Sequence, residues 1–135
     1  MNFQHFECRV SSVLNRDVKQ YGKKYLFDEN EETCWSSDQG SPQWIEVVFN
    51  EEKTISSIII QFQGGFVGQD CIFEIKTPQA SQIDHPFYPD DINTPQIFNF
   101  EKICAKSVRI VFKKSTDFFG RIVIYRLSFV NSLIF

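Results

Sequence analysis

Short runs of alternating apolar and polar residues recur along this chain of 135 residues. In residues 107–113, Val108, Ile110 and Phe112 fall on one face of an extended strand and Arg109 falls on the other. Alternation with a period of two is typical of β-strands that bury one face. No segment carries apolar residues at the spacing of a long amphipathic helix. The sequence therefore predicts an all-β fold, either a sandwich or a barrel.

The predicted strands number seven or eight and are separated by turn-forming residues. Besides residues 107–113, they cover residues 8–14, 44–49, 55–62, 71–76, 96–100 and 121–130. Residues 50–53 predict a polar turn, and residues 23–27 and 101–106 each predict one or two short helical turns. The four prolines in residues 77–95 predict a long surface loop or a broken edge strand.

Length and charge limit the classes of function open to this chain. We expect a single domain over residues 1–135, because this length fits one core. A net charge of −3, from 14 basic and 17 acidic side chains, argues against direct binding to nucleic acid. No apolar run reaches the length of a membrane span, and residues 1–10 lack the basic and apolar regions of a signal peptide. We therefore expect a nuclear or cytoplasmic protein that is neither secreted nor membrane-bound.

The absence of catalytic motifs from the sequence favours a non-enzymatic role. The chain has no nucleophile elbow, no phosphate-binding loop and no HExxH motif, and its two histidines, His5 and His85, lie far apart. The four cysteines have no metal-binding spacing. We expect them to be buried thiols, and two disulfide bridges are the alternative.

An acidic segment at residues 28–35 is a candidate metal site. Asp28, Asn30 and Thr33 carry side-chain oxygens, which are the ligands that calcium prefers. The segment is not an EF-hand loop, since Thr33 stands where that loop requires glycine. The alternative is a structural role as an acidic cap after the helical turns of residues 23–27. No other cofactor is predicted.

Several strings resemble the discoidin family, also called the coagulation-factor C-type domain. Residues 26–37 contain Leu-Phe-Asp, then Thr-x-Trp-x-Ser, and are followed by Trp44-Ile45-x-Val47 and the strand at residues 55–62. The resemblance covers residues 10–130. Members of this family fold as a jelly-roll β-sandwich similar to galactose-binding domains. The resemblance therefore implies a jelly roll of about eight strands.

The resemblance also bears on the calcium candidate. Family members that bind calcium take oxygens from an Asp-Gly-Asp-x-x-Thr region and from a glutamate in the last strand. Asp28 and Thr33 match that region. Glu29 and Asn30 depart from it, and Arg126 stands at the position of the glutamate. The resemblance therefore implies no calcium site, and it suggests an ion pair between Arg126 and Asp28 in place of the metal.

Ligands of this fold bind to loops at one end of the sandwich, which here implies loops at residues 36–43, 64–70, 87–91 and 116–121. The candidate binding residues are polar, aromatic or glycine: Asp38, Gln39, Gln63, Gly64, Gly65, Phe66, Tyr88, Asp117, Phe118, Phe119 and Arg121. Aromatic and arginine side chains often anchor protein interfaces, so three phenylalanines and Arg121 form a candidate anchor. The alternative is that the rings fold back over the end of the sandwich, with Asp117 paired to Arg121.

A second set of strings resembles small intracellular members of the family that associate with a nuclear receptor. These strings are residues 10–16, 38–40, 61–66 and 116–121. They imply a protein-interaction module that binds a nuclear receptor and represses transcriptional activation. Two alternatives stay open: a sugar-binding module, for which Trp35 and Trp44 are candidates, and a jelly-roll subunit of a larger intracellular complex.

Overall fold

The computed structural model describes residues 5–131. Its strands are β1 Phe6–Val10, β2 Trp35–Ser36, β3 Gln43–Phe62, β4 Gly68–Lys76, β5 Gln82–Phe87, β6 Gln96–Ser115 and β7 Val123–Val130. Its helical segments are the 3-10 turns Leu14–Arg16 and Lys23–Leu26, with the α-helix α1 Val18–Tyr21 between them. The predicted all-β architecture with short helical turns is confirmed. The single domain over residues 1–135 stays a prediction, and its ends lie outside the described residues.

The antiparallel strand pairs divide into two layers that share β3 and β6. In the first layer, β1 pairs with the first half of β3, which pairs with the second half of β6, and β4 and β5 follow. In the second layer, β2 pairs with β7, which pairs with the second half of β3, and the first half of β6 follows. This arrangement is the predicted jelly-roll sandwich.

β3 crosses between the layers where a polar turn was expected. The register of β3 against β6 shifts between Val48 and Lys53 and again between Ile55 and Ser57. Such irregularities bend a strand without ending it. The predicted turn at residues 50–53 is therefore wrong, because those residues lie inside β3.

The helical turn predicted at residues 101–106 is also wrong, because these residues belong to β6. Ile103, Cys104 and Ala105 pair with residues of β3, and Ala105 is fully buried. Hydrogen bonds to a distant strand override the local preference for helix here.

Several strand ends differ from the prediction by a few residues. The strand expected at residues 8–14 ends at Val10, because Leu14–Arg16 forms a 3-10 turn. The last strand begins at Val123, two residues later than expected. Of the two alternatives for residues 77–95, a long surface loop or a broken edge strand, the edge strand is present as β5, which pairs with β4.

Aromatic rings from the two layers meet in the core. Phe49 of the first layer contacts Phe129 of the second with ring centroids 5.3 Å apart, and Phe62 contacts Phe112 at 5.9 Å. The loops at residues 37–42, 63–67, 88–95 and 116–122 lie together at one end of the two layers, which we call the loop end. The packed core therefore holds in place the strands from which these loops extend.

Candidate functional site

Backbone hydrogen bonds join three loops of the loop end. The Gly40 N–H donates to the Phe119 carbonyl at 2.8 Å, which joins the first loop to the last. The Thr116 N–H donates to the Val67 carbonyl at 2.9 Å, and the Thr116 hydroxyl accepts from the Val67 N–H at 3.0 Å. The predicted residues Asp38, Phe66 and Asp117 therefore lie in one connected set of loops.

The loop of residues 37–42 is held by Gln43, a buried residue that ends the predicted loop at residues 36–43 but was not among the candidate binding residues. Its amide nitrogen donates to the carbonyls of Asp38 and Gly40 at 3.2 and 2.9 Å. Its amide oxygen accepts from the hydroxyls of Ser11 and Ser12 at 2.5 and 2.8 Å. A buried amide with all of these partners orders the loop that carries Asp38 and Gln39.

The loop of residues 63–67 is held by the loop of residues 88–95. The Gly64 N–H donates to the Asn93 side chain and the Gly65 N–H to the Asp91 carboxylate, both at 2.7 Å. Gly65 has φ of +90°, which a residue with a side chain rarely adopts. Tyr88, in the same loop as the two partners, is 76% exposed. Asn93 and Asp91 were not predicted as site residues.

An ion pair closes the loop of residues 116–122. Arg121 Nε donates to Asp117 Oδ2 at 2.9 Å, and the backbone N–H of Arg121 donates to the same atom at 3.1 Å. The hydrogen bond from the Arg121 side chain holds the pKa of Asp117 below its ordinary value. The pairing of Asp117 with Arg121 that the sequence suggested is therefore present.

Two phenylalanine rings project from this closed loop into solvent. Phe118 is 94% exposed and Phe119 is 53% exposed, and their rings meet edge to face with centroids 5.3 Å apart. The Arg121 guanidinium carbon lies 5.0 Å from the centroid of the half-buried Phe66 ring. The rings of Phe118 and Phe119 do not fold back over the sandwich, so that alternative is wrong for them.

Phe87 does not belong to the loop end, although the predicted loop at residues 87–91 included it. It is the last residue of β5 and is only 3% exposed. Its ring stacks on that of Phe73 with centroids 3.8 Å apart. Pairing with β4 extends β5 through Phe87, past the proline where the sequence pattern breaks.

Polar groups of the acidic segment at residues 28–33 form hydrogen bonds with one another. The Thr33 hydroxyl donates to Asp28 Oδ2 at 2.5 Å, and the Asn30 N–H donates to Asp28 Oδ1 at 3.1 Å. Arg126 Nε donates to Ser128 at 3.3 Å, and no ion pair between Arg126 and Asp28 occurs among residues 5–131. Within the same residues, no group of three or more metal-binding side chains comes together.

The two tryptophans that were candidates for sugar stacking are held by contacts within the fold. Trp35 is fully buried, and its indole N–H donates to the Ser12 carbonyl at 3.0 Å. Trp44 lies on β3, where the Arg109 guanidinium carbon is 4.5 Å from its ring centroid. The structure thus gives Trp35 a role in the core.

All four cysteines are free thiols, so the alternative of two disulfide bridges is wrong. The expected burial holds for Cys71 and is wrong for the other three, which are half-buried. Burial raises the pKa of Cys8 and of Cys71 to about 12. A thiol with so high a pKa carries almost no thiolate at neutral pH and is a poor nucleophile.

No helix in the described part of the chain is long and apolar enough to span a membrane.

Known proteins with curated names are similar to most of this chain. Nuclear receptor 2C2-associated protein of Xenopus tropicalis is 53% identical over 121 residues, which cover 88% of each chain. The protein of that name in Danio rerio is 48% identical over 128 residues, covering 93% of this chain and 90% of its own.

A solved structure shows the same fold. CpGH89CBM32-5 from Clostridium perfringens, in complex with GalNAc-β-1,3-galactose, has a TM-score of 0.79 at 14% identity, over 94% of this chain and 96% of its own. At that identity the similarity concerns the fold alone. The F5/8 type C domain profile matches residues 9–124. This chain therefore belongs to the F5/8 type C, or discoidin, domain family.

Proposed function

We propose that this chain is a non-catalytic module that binds a nuclear receptor through its loop end and represses transcriptional activation by that receptor. The observation that carries this proposal is the exposed pair of rings, Phe118 and Phe119, held on an ordered loop. The names of its relatives, which describe association with nuclear receptor 2C2, support the choice of partner. Such a function requires a nuclear or cytoplasmic location.

Exposed aromatic rings favour a protein partner. Exposure of an apolar ring to water is unfavourable. Burial of the ring against a partner stabilises the complex by about 25 cal/mol per Å² of apolar area removed from water. Aromatic and arginine residues close to each other are typical of the few positions that dominate protein interfaces. Phe118, Phe119 and Arg121 provide such a group within four residues of chain.

The loop of residues 116–122 is already ordered in the unbound chain. The ion pair of Asp117 with Arg121 closes its base, and the hydrogen bond from Gly40 fixes the Phe119 carbonyl. Gly120 has φ of +86°, and a Cβ there would lie 2.7 Å from the Gly40 oxygen. A preordered loop loses less conformational entropy on binding than a flexible one, which favours affinity.

The side chains at the loop end do not suit catalysis. The carboxylate of Asp117 is occupied by Arg121, and its pKa is lowered rather than raised toward neutrality. A general acid or base would need a pKa near the working pH. The half-buried thiol of Cys8 and the buried thiol of Cys71 lie on β1 and β4, and their raised pKa makes them unsuited to nucleophilic attack. These features support a binding role.

A binding measurement with purified nuclear receptor 2C2 tests the surface. We expect wild type to bind and the double variant Phe118→Ala/Phe119→Ala to bind at least about tenfold more weakly, as for anchor residues of other interfaces. The matched control is Ile83→Ala/Ile97→Ala, which also removes two exposed apolar side chains, from β5 and β6. We expect this control to bind like wild type.

A transcription reporter driven by the same receptor tests repression. Wild type should lower the reporter signal, and the Phe118→Ala/Phe119→Ala variant should not, at equal protein levels. Equal binding by both variants and wild type would disprove the loop end as the receptor surface. Binding without any change of the reporter would leave a receptor-binding module and disprove the repressor role.

A further inference from the structure

A basic groove with an apolar floor lies beside the edge strand β1, outside the loop end. Its apolar lining, which we call the floor, consists of Val10, Val13 and Val18, and the lysines that line it, which we call the rim, are Lys19, Lys23 and Lys24. The groove has a volume of about 650 Å³. Arg9, Lys23 and Lys24 also line a neighbouring cavity of about 350 Å³, so the two form one continuous surface. We call the whole surface the basic groove.

Two valines of the floor of the basic groove pack against the core, and the third is exposed to solvent. Val10 and Val13 are half-buried and pack against the hydrophobic core, so the fold fixes their position. Val18, the first residue of α1, is 63% exposed. An apolar side chain so exposed, next to two others that are half-buried, provides area that a partner's apolar side chains can cover.

The charge of this region is opposite to that of the whole chain. Residues 9–24 contain five basic side chains and one acidic side chain, although the chain carries a net charge of −3. The acidic residue, Asp17, accepts a hydrogen bond from the Gln20 N–H at 3.1 Å and so caps α1. Glu7 also lines the smaller cavity, but four cations line the two cavities together, so the basic groove keeps a net positive charge.

The three lysines of the rim have no acidic partner among the described residues. Within residues 5–131, Lys19, Lys23 and Lys24 take part in no ion pair. Lys24 lies over the Tyr25 ring, with its Nζ 5.0 Å from the ring centroid. Arg9 differs, because its guanidinium pairs with Glu46 at 2.5 Å. Three unpaired ammonium groups around an apolar floor attract carboxylates and steer them to this side of the molecule.

We propose that the basic groove binds an acidic peptide segment that also carries apolar side chains, on a partner distinct from the one at the loop end. The carboxylates of the segment would pair with Lys19, Lys23 and Lys24, and its apolar side chains would cover the three valines. A peptide suits this groove better than an extended anionic surface. A membrane or a nucleic-acid duplex would also meet the acidic remainder of a chain with net charge −3.

The proposal gives the chain two surfaces with different chemistry. The loop end offers aromatic rings, and the basic groove offers cations around aliphatic side chains. A chain with both surfaces would hold two partners at once and bring them together.

Selection from a random-peptide display library tests the basic groove with no particular partner chosen in advance. We expect wild type to enrich peptides that combine Asp or Glu with Leu, Ile or Phe. The enriched peptides are then synthesised, and their affinity for wild type and variants is measured by fluorescence anisotropy. In the variant Lys19→Gln/Lys23→Gln/Lys24→Gln, we expect affinity to fall at least about tenfold, because charge pairs and steering are both lost.

A matched variant separates the basic groove from overall charge. Lys76→Gln/Lys106→Gln/Lys113→Gln removes the same charge from three exposed lysines elsewhere, and we expect it to bind the peptides within about twofold of wild type. Val18→Ser should weaken binding at every salt concentration, whereas the effect of the rim variant should shrink as salt rises. All variants should unfold at the wild-type temperature, since the substituted side chains are exposed.

Several outcomes would overturn the proposal. They are the recovery of no peptide, the absence of acidic enrichment, and equal affinity of the rim variant and wild type. Loss of peptide binding in Phe118→Ala/Phe119→Ala with retention in the rim variant would assign the peptides to the loop end. Binding to vesicles of phosphatidylserine and phosphatidylcholine, abolished by the rim variant and absent for peptides, would assign the basic groove to membranes.

Discussion

Two pairs of phenylalanines in this chain have opposite environments. Phe73 and Phe87 are 0% and 3% exposed, and their rings stack in parallel with centroids 3.8 Å apart. Phe118 and Phe119 are 94% and 53% exposed and meet edge to face. The first pair lies on paired strands and the second on a closed loop. In this chain, rings on paired strands pack in the core and stabilise the fold, whereas rings on a closed surface loop stay exposed and available to a partner.

The buried pair belongs to a larger cluster that joins the layers. Phe73 of the first layer contacts Phe98 and Phe100 of β6 with centroids 6.0 and 6.2 Å apart. Phe87 contacts Phe98 at 4.8 Å. Because these rings pack against one another, removal of one leaves a cavity that the others cannot fill.

The substitution Phe73→Ala should have the largest effect on stability. We expect it to lower the free energy of unfolding by about 3–5 kcal/mol, through lost burial and the cavity left behind. Urea denaturation measures this change, and Phe73→Leu should cost less than Phe73→Ala. A loss below about 1 kcal/mol would show that the cluster collapses around the gap and would break the contrast with the exposed pair.

The substitution Gly120→Ala should have the next largest effect. At φ of +86° a new Cβ would lie 2.7 Å from the Gly40 oxygen, so both the backbone and the neighbouring loop must move. We expect a loss of about 1–3 kcal/mol in the free energy of unfolding and weaker receptor binding, because Phe119 shifts. Gly65→Ala is the control, since φ there is +90° but no atom lies within 4 Å of the new Cβ. An equal cost for both would show that backbone strain alone, without the clash, explains the effect.

The substitution Asp117→Asn should have a smaller effect that depends on pH. The hydrogen bond from Arg121 lowers the pKa of Asp117 in the folded state. The ion pair therefore contributes its full stability above the unfolded carboxyl pKa of about 4, and loses it as pH falls through the lower folded value. We expect the difference in melting temperature between wild type and variant to be constant near neutral pH and to vanish only in acid. A difference that fades between about pH 7 and 5 would contradict the lowered pKa.

Removal of the exposed pair should have the smallest effect on stability. We expect Phe118→Ala/Phe119→Ala to change the free energy of unfolding by no more than about 0.5 kcal/mol, as for other surface positions. Thermal unfolding measures this, alongside the receptor-binding assay. A large loss of stability would show that these rings also support the fold, which would remove the contrast between the two pairs.

The alternating pattern predicted most strands because it reflects which faces are buried. Val108, Ile110 and Phe112 are all buried, as their spacing indicated. Residues 50–53 and 101–106 were mispredicted because their conformation depends on pairing between β3 and β6, which are distant in sequence. The pattern of apolar and polar residues within a short segment does not indicate pairing between strands that are distant in sequence.

At the loop end, the sequence indicated the loops but not what holds them. Phe118 and Phe119 were predicted to lie in a loop, with an exposed anchor and folding back over the sandwich as the alternatives. Gln43, Asp91 and Asn93 carry no signal of their own, because their role depends on loops that only the fold brings together. The basic groove was missed because its cations are spread over two short helical segments and the edge strand.

The sharing of β3 and β6 between the layers also sets a condition on how the chain is made. Ser36 of β2 pairs with Val123, and Ser57 of β3 pairs with Val130, so the second layer needs the last strand. A chain emerging from the ribosome cannot close this layer until residue 130 is free, and pairing of such distant residues is intrinsically slow. Until then the apolar faces of β3 and β6 stay uncovered, and a chain cut short before β7 would be a substrate for chaperones rather than a smaller working module.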